Sequence, residues 1–127
     1  MNLQLPLDDK YVLTPTETGN ILTATAAYNA KIKSIVTANP TRLALADVNK
    51  AFADLVTAQI ETSNGVFISP TLAPPTGSFS EDGVHPNTRG YAFLANIYLS
   101  AINTAFSANI PLIDISKYQG TGLPVNP

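Results

Sequence analysis

The sequence predicts an α/β fold in which helices cover both faces of an incomplete parallel sheet. Two long helical patterns, over residues 15–37 and 87–106, enclose a region that contains short apolar runs. The run at 43–48 lacks polar alternation, which is typical of a strand buried on both faces. The predicted elements occur in the order helix, strand, helix, extended segment and helix, which indicates α/β layering. Because only one or two strands are credible, the predicted sheet is unfinished.

The first helix has a strong start signal. Thr14 is placed at the N-cap, Pro15 at the first helical position and Glu17 at the third, which together predict a capping box. The helix is expected to end before Asn39-Pro40, because the residue before a proline disfavours the helical conformation. Its apolar residues fall on one face: Ile21, Ala24, Tyr28, Ile32 and Ile35.

The middle of the chain predicts a second helix followed by a short strand and a long loop. Residues 50–61 place Phe52, Leu55, Val56 and Ile60 on one helical stripe. Asn64-Gly65 predicts a turn, and residues 66–68 a short strand or extended segment. Residues 69–81 are rich in Pro, Ser, Thr and Gly, and a loop of this length in a compact domain is often functional.

The last helix is predicted over residues 87–106. Apolar residues occur on all of its faces, so we expect it to be buried on most sides. Its aromatic residues Tyr91, Tyr98 and Phe106 recur at helical spacing and are expected in the core. Residues 110–115 predict a final edge strand, because Pro111 cannot serve in the centre of a sheet.

Composition limits the class of protein. With 127 residues, the chain fits one domain over residues 1–127. Only 13% of the residues are charged, against about a quarter in ordinary soluble domains, so we expect the chain to bury surface against something else. A net charge of −2 without a Lys/Arg cluster argues against nucleic acid as a partner. The absence of cysteine excludes disulfides and thiolate chemistry.

The sequence leaves the compartment open. Residues 1–6 have neither a basic segment nor an apolar one, so we expect no signal peptide in this chain. The longest apolar stretch, over residues 90–101, is too short to span a bilayer.

One segment can carry chemistry. His85 is the only histidine, and it follows Asp82 by three residues on a loop that leads into the last helix. Imidazole is the usual general base for activating a hydroxyl, and it works best when a carboxylate orients its other nitrogen. We therefore expect Asp82 to orient His85 so that Nε2 faces a nucleophile. Gly83 permits a tight turn, and Pro86 keeps the residue before it extended.

Structural roles are the alternatives. Asp82 can simply cap a turn, and His85 can be a buried ring with its hydrogen bonds satisfied. A metal site would need Glu81 and Asp82 to complete the ligands of a single histidine.

The residues from Asp82-Gly83-Val84-His85-Pro86-Asn87 to Thr88-Arg89-Gly90-Tyr91-Ala92 resemble the last signature block of the SGNH (GDSL) hydrolases. In that family an Asp-x-x-His-Pro precedes the C-terminal helix. The upstream segments at Tyr28-Asn29-Ala30 and Asp47-Val48-Asn49 are also similar to the family's C-terminal half. The resemblance covers roughly residues 11–106.

The resemblance implies a partial three-layer α/β/α parallel sheet whose N-terminal strands are missing. It also implies an esterase or lipase that forms an acyl-enzyme and uses no cofactor. Asp82 matches the triad acid and His85 the triad base. The Gly-Asp-Ser nucleophile block and the glycine and Gly-x-Asn blocks of the oxyanion hole have no match here. The chain is therefore expected to carry the acid–base half of a site for lipid or acylated carbohydrate esters, and to be inactive alone.

Two non-catalytic functions stay open. In one, the chain is a structural module that pairs its apolar face with another chain, either a second copy or a missing N-terminal half. In the other, the Asp82–His85 loop recognises a ligand. Whether the chain is part of a hydrolase or a pairing module, we expect it to self-associate. The contact surfaces would be the exposed edge of the strand at 43–48 and the apolar face of the last helix. The family is often exported, but this chain does not reveal its compartment.

Overall fold

The computed structural model describes residues 8–57, 60–61 and 67–120. The chain divides into two compact units, Met1–Pro40 and Thr41–Pro127. Helix α1 belongs to the first unit, and helices α2 and α3 and the short strands β1 and β2 to the second. Their bounds are α1 Pro15–Ala38, α2 Val48–Thr57, β1 Ile60–Glu61, β2 Phe67–Ile68 and α3 Thr88–Phe106.

The expected α/β fold is wrong, because the described part of the chain is mostly helical. Its one pair of strands is antiparallel and two residues long, with Ile60 opposite Ile68 and Glu61 opposite Phe67. No parallel three-layer sheet exists among the described residues. The predicted strand at 43–48 is an unpaired segment up to Asp47, and its last residue, Val48, begins α2. An apolar run without alternation does not by itself distinguish a strand from another partly buried segment.

Helix α1 confirms the predicted capping box. The Thr14 backbone N–H donates to Glu17 Oε2 at 2.9 Å, and the Glu17 N–H donates to Thr14 Oγ1 at 3.3 Å. These bonds to Thr14, backbone first, hold the pKa of Glu17 below its usual value. At the other end, the Asn39 side chain donates to the Ile35 carbonyl at 2.9 Å. Side chains next to the helix therefore bind backbone groups at both of its ends.

Helix α2 is shorter than predicted and begins at a carboxylate cap. Asp47 Oδ1 accepts from the Lys50 N–H at 2.9 Å, as an N-cap residue does. The helix ends at Thr57, and Ile60–Glu61 form strand β1 instead of continuing the helix to residue 61. Residues 64 and 65, where a turn is predicted, lie outside the described part.

The core of the second unit is small. Its buried apolar side chains come from α2, β2, α3 and the segment after α3: Leu55, Ile68, Ala92 and Ile115. Phe52 packs against this cluster and meets Phe93 edge to face, with ring centroids 5.6 Å apart. This core fixes α2 and α3 relative to the loop that connects them.

The predicted edge strand at 110–115 is also wrong, and two asparagines of α3 explain why. Asn96 donates to the Ile113 carbonyl at 2.9 Å and accepts from the Ile113 N–H at 2.7 Å. Asn103 makes the same pair of bonds with Ile110, at 2.8 and 2.9 Å. The backbone groups of this segment are thus hydrogen-bonded to side chains on the surface of α3 instead of to a strand. A 3₁₀ turn at Ile115–Lys117 follows.

Helix α3 is less buried than the sequence predicts. Gly90 and Ala92 are buried in its first turn, but the aromatic residues expected in the core are exposed along one stripe together with Ile102: Tyr91, Tyr98 and Phe106. The apolar face of α1 is exposed in its own unit as well. None of the helices in the described part of the chain has the length and apolarity needed to cross a bilayer.

Candidate functional site

The candidate site is the loop from Ser80 to Asn87, which is closed by its own backbone. The Ser80 N–H donates to the His85 carbonyl at 2.8 Å, and the Gly83 N–H donates to the Ser80 carbonyl at 3.0 Å. Gly83 has φ of 70°, in the left-handed region that glycine occupies without strain. This tight turn brings Asp82 and His85 to the same side of the loop.

One carboxylate oxygen of Asp82 organises the turn. Asp82 Oδ1 accepts from the Ser80 hydroxyl at 2.7 Å and from the backbone N–H groups of Val84 and His85, each at 2.9 Å. Aspartate commonly makes such local bonds to nearby backbone. The turn-capping role is therefore present in the structure.

The other carboxylate oxygen binds the histidine ring. Asp82 Oδ2 lies 2.6 Å from His85 Nδ1, a short distance that is typical of a charge-assisted hydrogen bond. Hydrogen bonds from the His85 ring, from Ser80 and from the Val84 and His85 backbone hold the pKa of Asp82 far below its usual range. Because the ionised carboxylate can only accept, the neutral form of the ring carries its proton on Nδ1 and keeps a lone pair on Nε2.

Nε2 of His85 is open to a reactant. The His85 side chain is 69% exposed and that of Asp82 is 50% exposed. Within the described ranges, no residue forms a hydrogen bond with Nε2. The interpretation of His85 as a buried ring is therefore wrong, and the pair combines an oriented ring with an accessible acceptor.

A metal at this loop has no support from the geometry. Over residues 8–57, 60–61 and 67–120, no three His, Cys, Asp or Glu side chains are grouped so that they could hold a metal ion. Asp82 uses both oxygens for hydrogen bonds within its own turn.

No described hydroxyl is bonded to His85. The Ser80 hydroxyl donates to Asp82, while the Ser78 hydroxyl is buried and donates to the Ser69 carbonyl at 2.7 Å. Ser69 in turn is bonded to the hydroxyls of Thr71 and Thr76. These serines support the loop and do not act as partners of Nε2.

Asn87 and Gly90 attach the loop to α3, a role that sequence reasoning did not assign. Asn87 Oδ1 accepts from the Gly90 N–H at 2.9 Å, which caps the helix. Its Nδ2 donates to the carbonyls of Gly77, at 2.9 Å, and Phe79, at 3.2 Å. Gly90 is buried against the Ser78 carbonyl, so close that a Cβ would collide with it. The sequence signal for this contact was an N-cap asparagine, Asn87, followed by a glycine at the third position of the helix, Gly90.

Sequence reasoning also missed an apolar cleft beside the loop. Phe52 and Val56 of α2 line a cavity of about 300 Å³ together with Leu72, Phe79 and Gly83. The residues come from segments far apart in the chain, so no local pattern reveals the cleft.

Comparison of the chain with protein-family models, with curated proteins and with solved structures finds no match. The hydrolase interpretation therefore depends on the motif at Asp82–Ala92 and on the geometry of the Asp82–His85 pair.

Proposed function

We propose that Asp82 and His85 form the acid–base component of a site that hydrolyses carboxylic esters. The observation that carries the proposal is the 2.6 Å bond from His85 Nδ1 to Asp82 Oδ2, together with the 69% exposure of the His85 side chain. A carboxylate on one ring nitrogen fixes the tautomer in which the other nitrogen accepts a proton. The proposal does not depend on the α/β sheet fold, which the described part of the chain does not have.

The ring has a defined part in each step. Nε2 takes the proton of an attacking hydroxyl while that oxygen bonds to the ester carbonyl carbon. It then gives the proton to the leaving alkoxide oxygen, which leaves an acyl ester on the nucleophile. Water hydrolyses this ester with Nε2 again as the base. Asp82 stays ionised and stabilises the imidazolium formed in each step.

The nucleophile belongs to a second polypeptide segment in this proposal. The Ser78 and Ser80 hydroxyls of the loop donate elsewhere. A serine hydroxyl that docks against the exposed face of His85 would complete the site, together with backbone donors for the oxyanion. The chain alone is then a weak catalyst whose chemistry is limited to that of an oriented imidazole.

An activated ester tests this residual chemistry. With p-nitrophenyl acetate we expect a slow hydrolysis that is lost in His85→Ala and reduced in Asp82→Asn. Glu81→Gln is the matched control, because Glu81 is the adjacent exposed acid and has no bond to the ring. A rate that is equal in all four proteins would contradict the proposal.

A pairing module is the second candidate, and the exposed apolar stripe of α1 favours it. Ile21, Tyr28, Ile32 and Ile35 are all about half exposed or more in their own unit. Large apolar patches of this kind mark association surfaces in soluble proteins. We propose that this face mediates self-association whether or not the chain takes part in catalysis.

A further inference from the structure

The apolar cleft beside the Asp82–His85 loop has the properties of a small-ligand site. Its volume of about 300 Å³ lies at the lower end of the range for such sites. Most of its lining is apolar and includes Phe52, Val56, Leu72 and Phe79. A short apolar group would fill it better than a polar one would, because desolvating a polar group without a partner is costly.

The walls are held in place by the core. Phe52 meets Phe79 edge to face with ring centroids 5.6 Å apart, and it also packs against Phe93 of α3. Leu55, one turn along α2 from Phe52, is fully buried. The cleft is therefore formed before any ligand arrives, which lowers the cost of ordering it on binding.

The cleft is continuous with the histidine loop. Gly83 lines it and precedes His85 by two residues, so their Cα atoms are at most about 7 Å apart. Gly83 has no side chain to separate the cleft from the loop, and a Cβ at this position would face open space. A ligand whose apolar end fills the cleft has its other end within reach of the loop.

We propose that this cleft binds the short acyl chain of the ester, with the carbonyl group at the Asp82–His85 loop. The inference rests on the proposed ester hydrolysis and adds to it a substrate class: esters of short, unbranched or lightly branched aliphatic acids. The small volume excludes a long lipid chain from full burial.

Methyl ketones from pentanone to nonanone test the cleft without hydrolysis, since they keep the carbonyl and have no leaving group. Binding is followed by amide NMR shifts of the full chain, with Gly83, Leu72 and Phe79 as reporters. Each added methylene is expected to lower Kd about fourfold until the cleft is full, after which Kd stays constant.

Variants separate the cleft from the rest of the exposed apolar surface. Val56→Trp, at a largely exposed position that tolerates bulk, is expected to raise Kd at least tenfold, and Leu72→Trp adds the same bulk at another lining residue. Leu112→Trp is the matched control, because Leu112 is exposed but does not line the cleft. Two results would overturn the proposal. One is a set of amide shifts that spread over α1 and α3 and do not saturate with ketone concentration, and the other is an equal Kd in all three variants.

The histidine variant distinguishes the two proposals. His85→Ala removes the proposed base but leaves the cleft lining intact, so the fall in Kd of about fourfold with each methylene is expected to persist, whatever the absolute Kd. Loss of p-nitrophenyl acetate hydrolysis with preserved ketone binding supports both proposals. If hydrolysis depends on His85 but no ketone binds at Gly83, the cleft proposal fails and the proposed function stands.

Discussion

Asp82 binds His85 through both of its carboxylate oxygens. Oδ2 accepts from ring Nδ1 at 2.6 Å, and Oδ1 accepts from the backbone N–H of the same residue at 2.9 Å. The first bond orients the ring, and the second fixes the backbone that carries it. The Ser80 hydroxyl and the Val84 N–H complete the shell of Oδ1. A side chain held in this way has its functional nitrogen positioned before a reactant binds.

The pH dependence of the loop follows from the lowered pKa of Asp82. Since this pKa lies below the value of about 4 in an unfolded chain, the stabilisation by ionised Asp82 is fully present above about pH 4. It is lost progressively as the pH falls from there toward the lower folded value. Carboxyl-carbon NMR of Asp82 should therefore show no protonation of this carboxylate between neutral pH and about pH 4.

Removing one donor should raise the pKa of Asp82 toward its usual range. Ser80→Ala deletes the 2.7 Å bond to Oδ1 and leaves the ring bond in place. Carboxyl-carbon NMR titration measures the change. Ser116→Ala is the control, because Ser116 makes the equivalent bond to Asp114. An unchanged pKa of Asp82 in Ser80→Ala would show that the Ser80 hydroxyl does not stabilise the ionised carboxylate.

Gly90 should be intolerant of even one methyl group. A Cβ there collides with the Ser78 carbonyl, so we expect Gly90→Ala to lower the free energy of unfolding of the second unit by about 1–3 kcal/mol or more. Gly19 in α1 has open space around it, and Gly19→Ala should instead favour its helix by up to about 1 kcal/mol. Denaturant unfolding and helical circular dichroism distinguish the two. Equal effects would contradict the close packing at Gly90.

Asn96 should hold the segment after α3 more strongly than Asn103 does. Both make two bonds to that segment, but those of Asn96 are partly buried and those of Asn103 are exposed. Asn96→Ala leaves the Ile113 backbone groups without partners and should cost about 1–3 kcal/mol, whereas water replaces the lost bonds in Asn103→Ala. Amide exchange at Ile113 measures this locally. Faster exchange in Asn103→Ala than in Asn96→Ala would contradict the assignment.

These particular elements show how far the sequence could predict the structure. The Thr14–Glu17 capping box and the Asp82–His85 contact each join residues three apart, so local spacing was sufficient to predict them. The apolar run at 43–48 failed as a strand, because pairing depends on distant segments. The run at 110–115 failed because side-chain amides of Asn96 and Asn103 bind its backbone where a neighbouring strand was expected.

The candidate site also has one part that the sequence could predict and one part that it could not. The dyad lies within one turn and could be inferred from the motif. The cleft beside it is formed by Phe52 and Phe79, which are 27 positions apart in the sequence and meet only through the fold. The exposure of Tyr98 and Phe106 was missed for a related reason: helical periodicity predicts a shared face but does not show what covers that face.

Self-association should depend on the apolar stripe of α1. Ile32→Glu places a charge in the middle of that stripe and is expected to shift the chain toward monomer in sedimentation velocity. Ala30→Glu, on the opposite side of the same helix, carries the same charge and should leave the association unchanged. A wild-type chain that is monomeric at high concentration would remove the basis for a pairing function.

A fluorophosphonate should leave the chain unmodified. The Ser78 and Ser80 hydroxyls are bonded away from His85, so no activated serine is expected among the described residues. Intact mass after labelling checks this, with His85→Ala as the control. A stoichiometric adduct on one serine that disappears in His85→Ala would show that the chain builds a complete site by itself.

The most direct measurement of the central claim is nitrogen NMR of the His85 ring, compared between the wild type and Asp82→Asn at a pH where the ring is neutral. Because His85 is the only histidine, its two ring signals need no assignment against others. The account predicts a protonated Nδ1 and an unprotonated Nε2 in the wild type, with this single tautomer lost in Asp82→Asn. A proton on Nε2, or an identical tautomer mixture in both proteins, would contradict the claim that Asp82 presents His85 as a base.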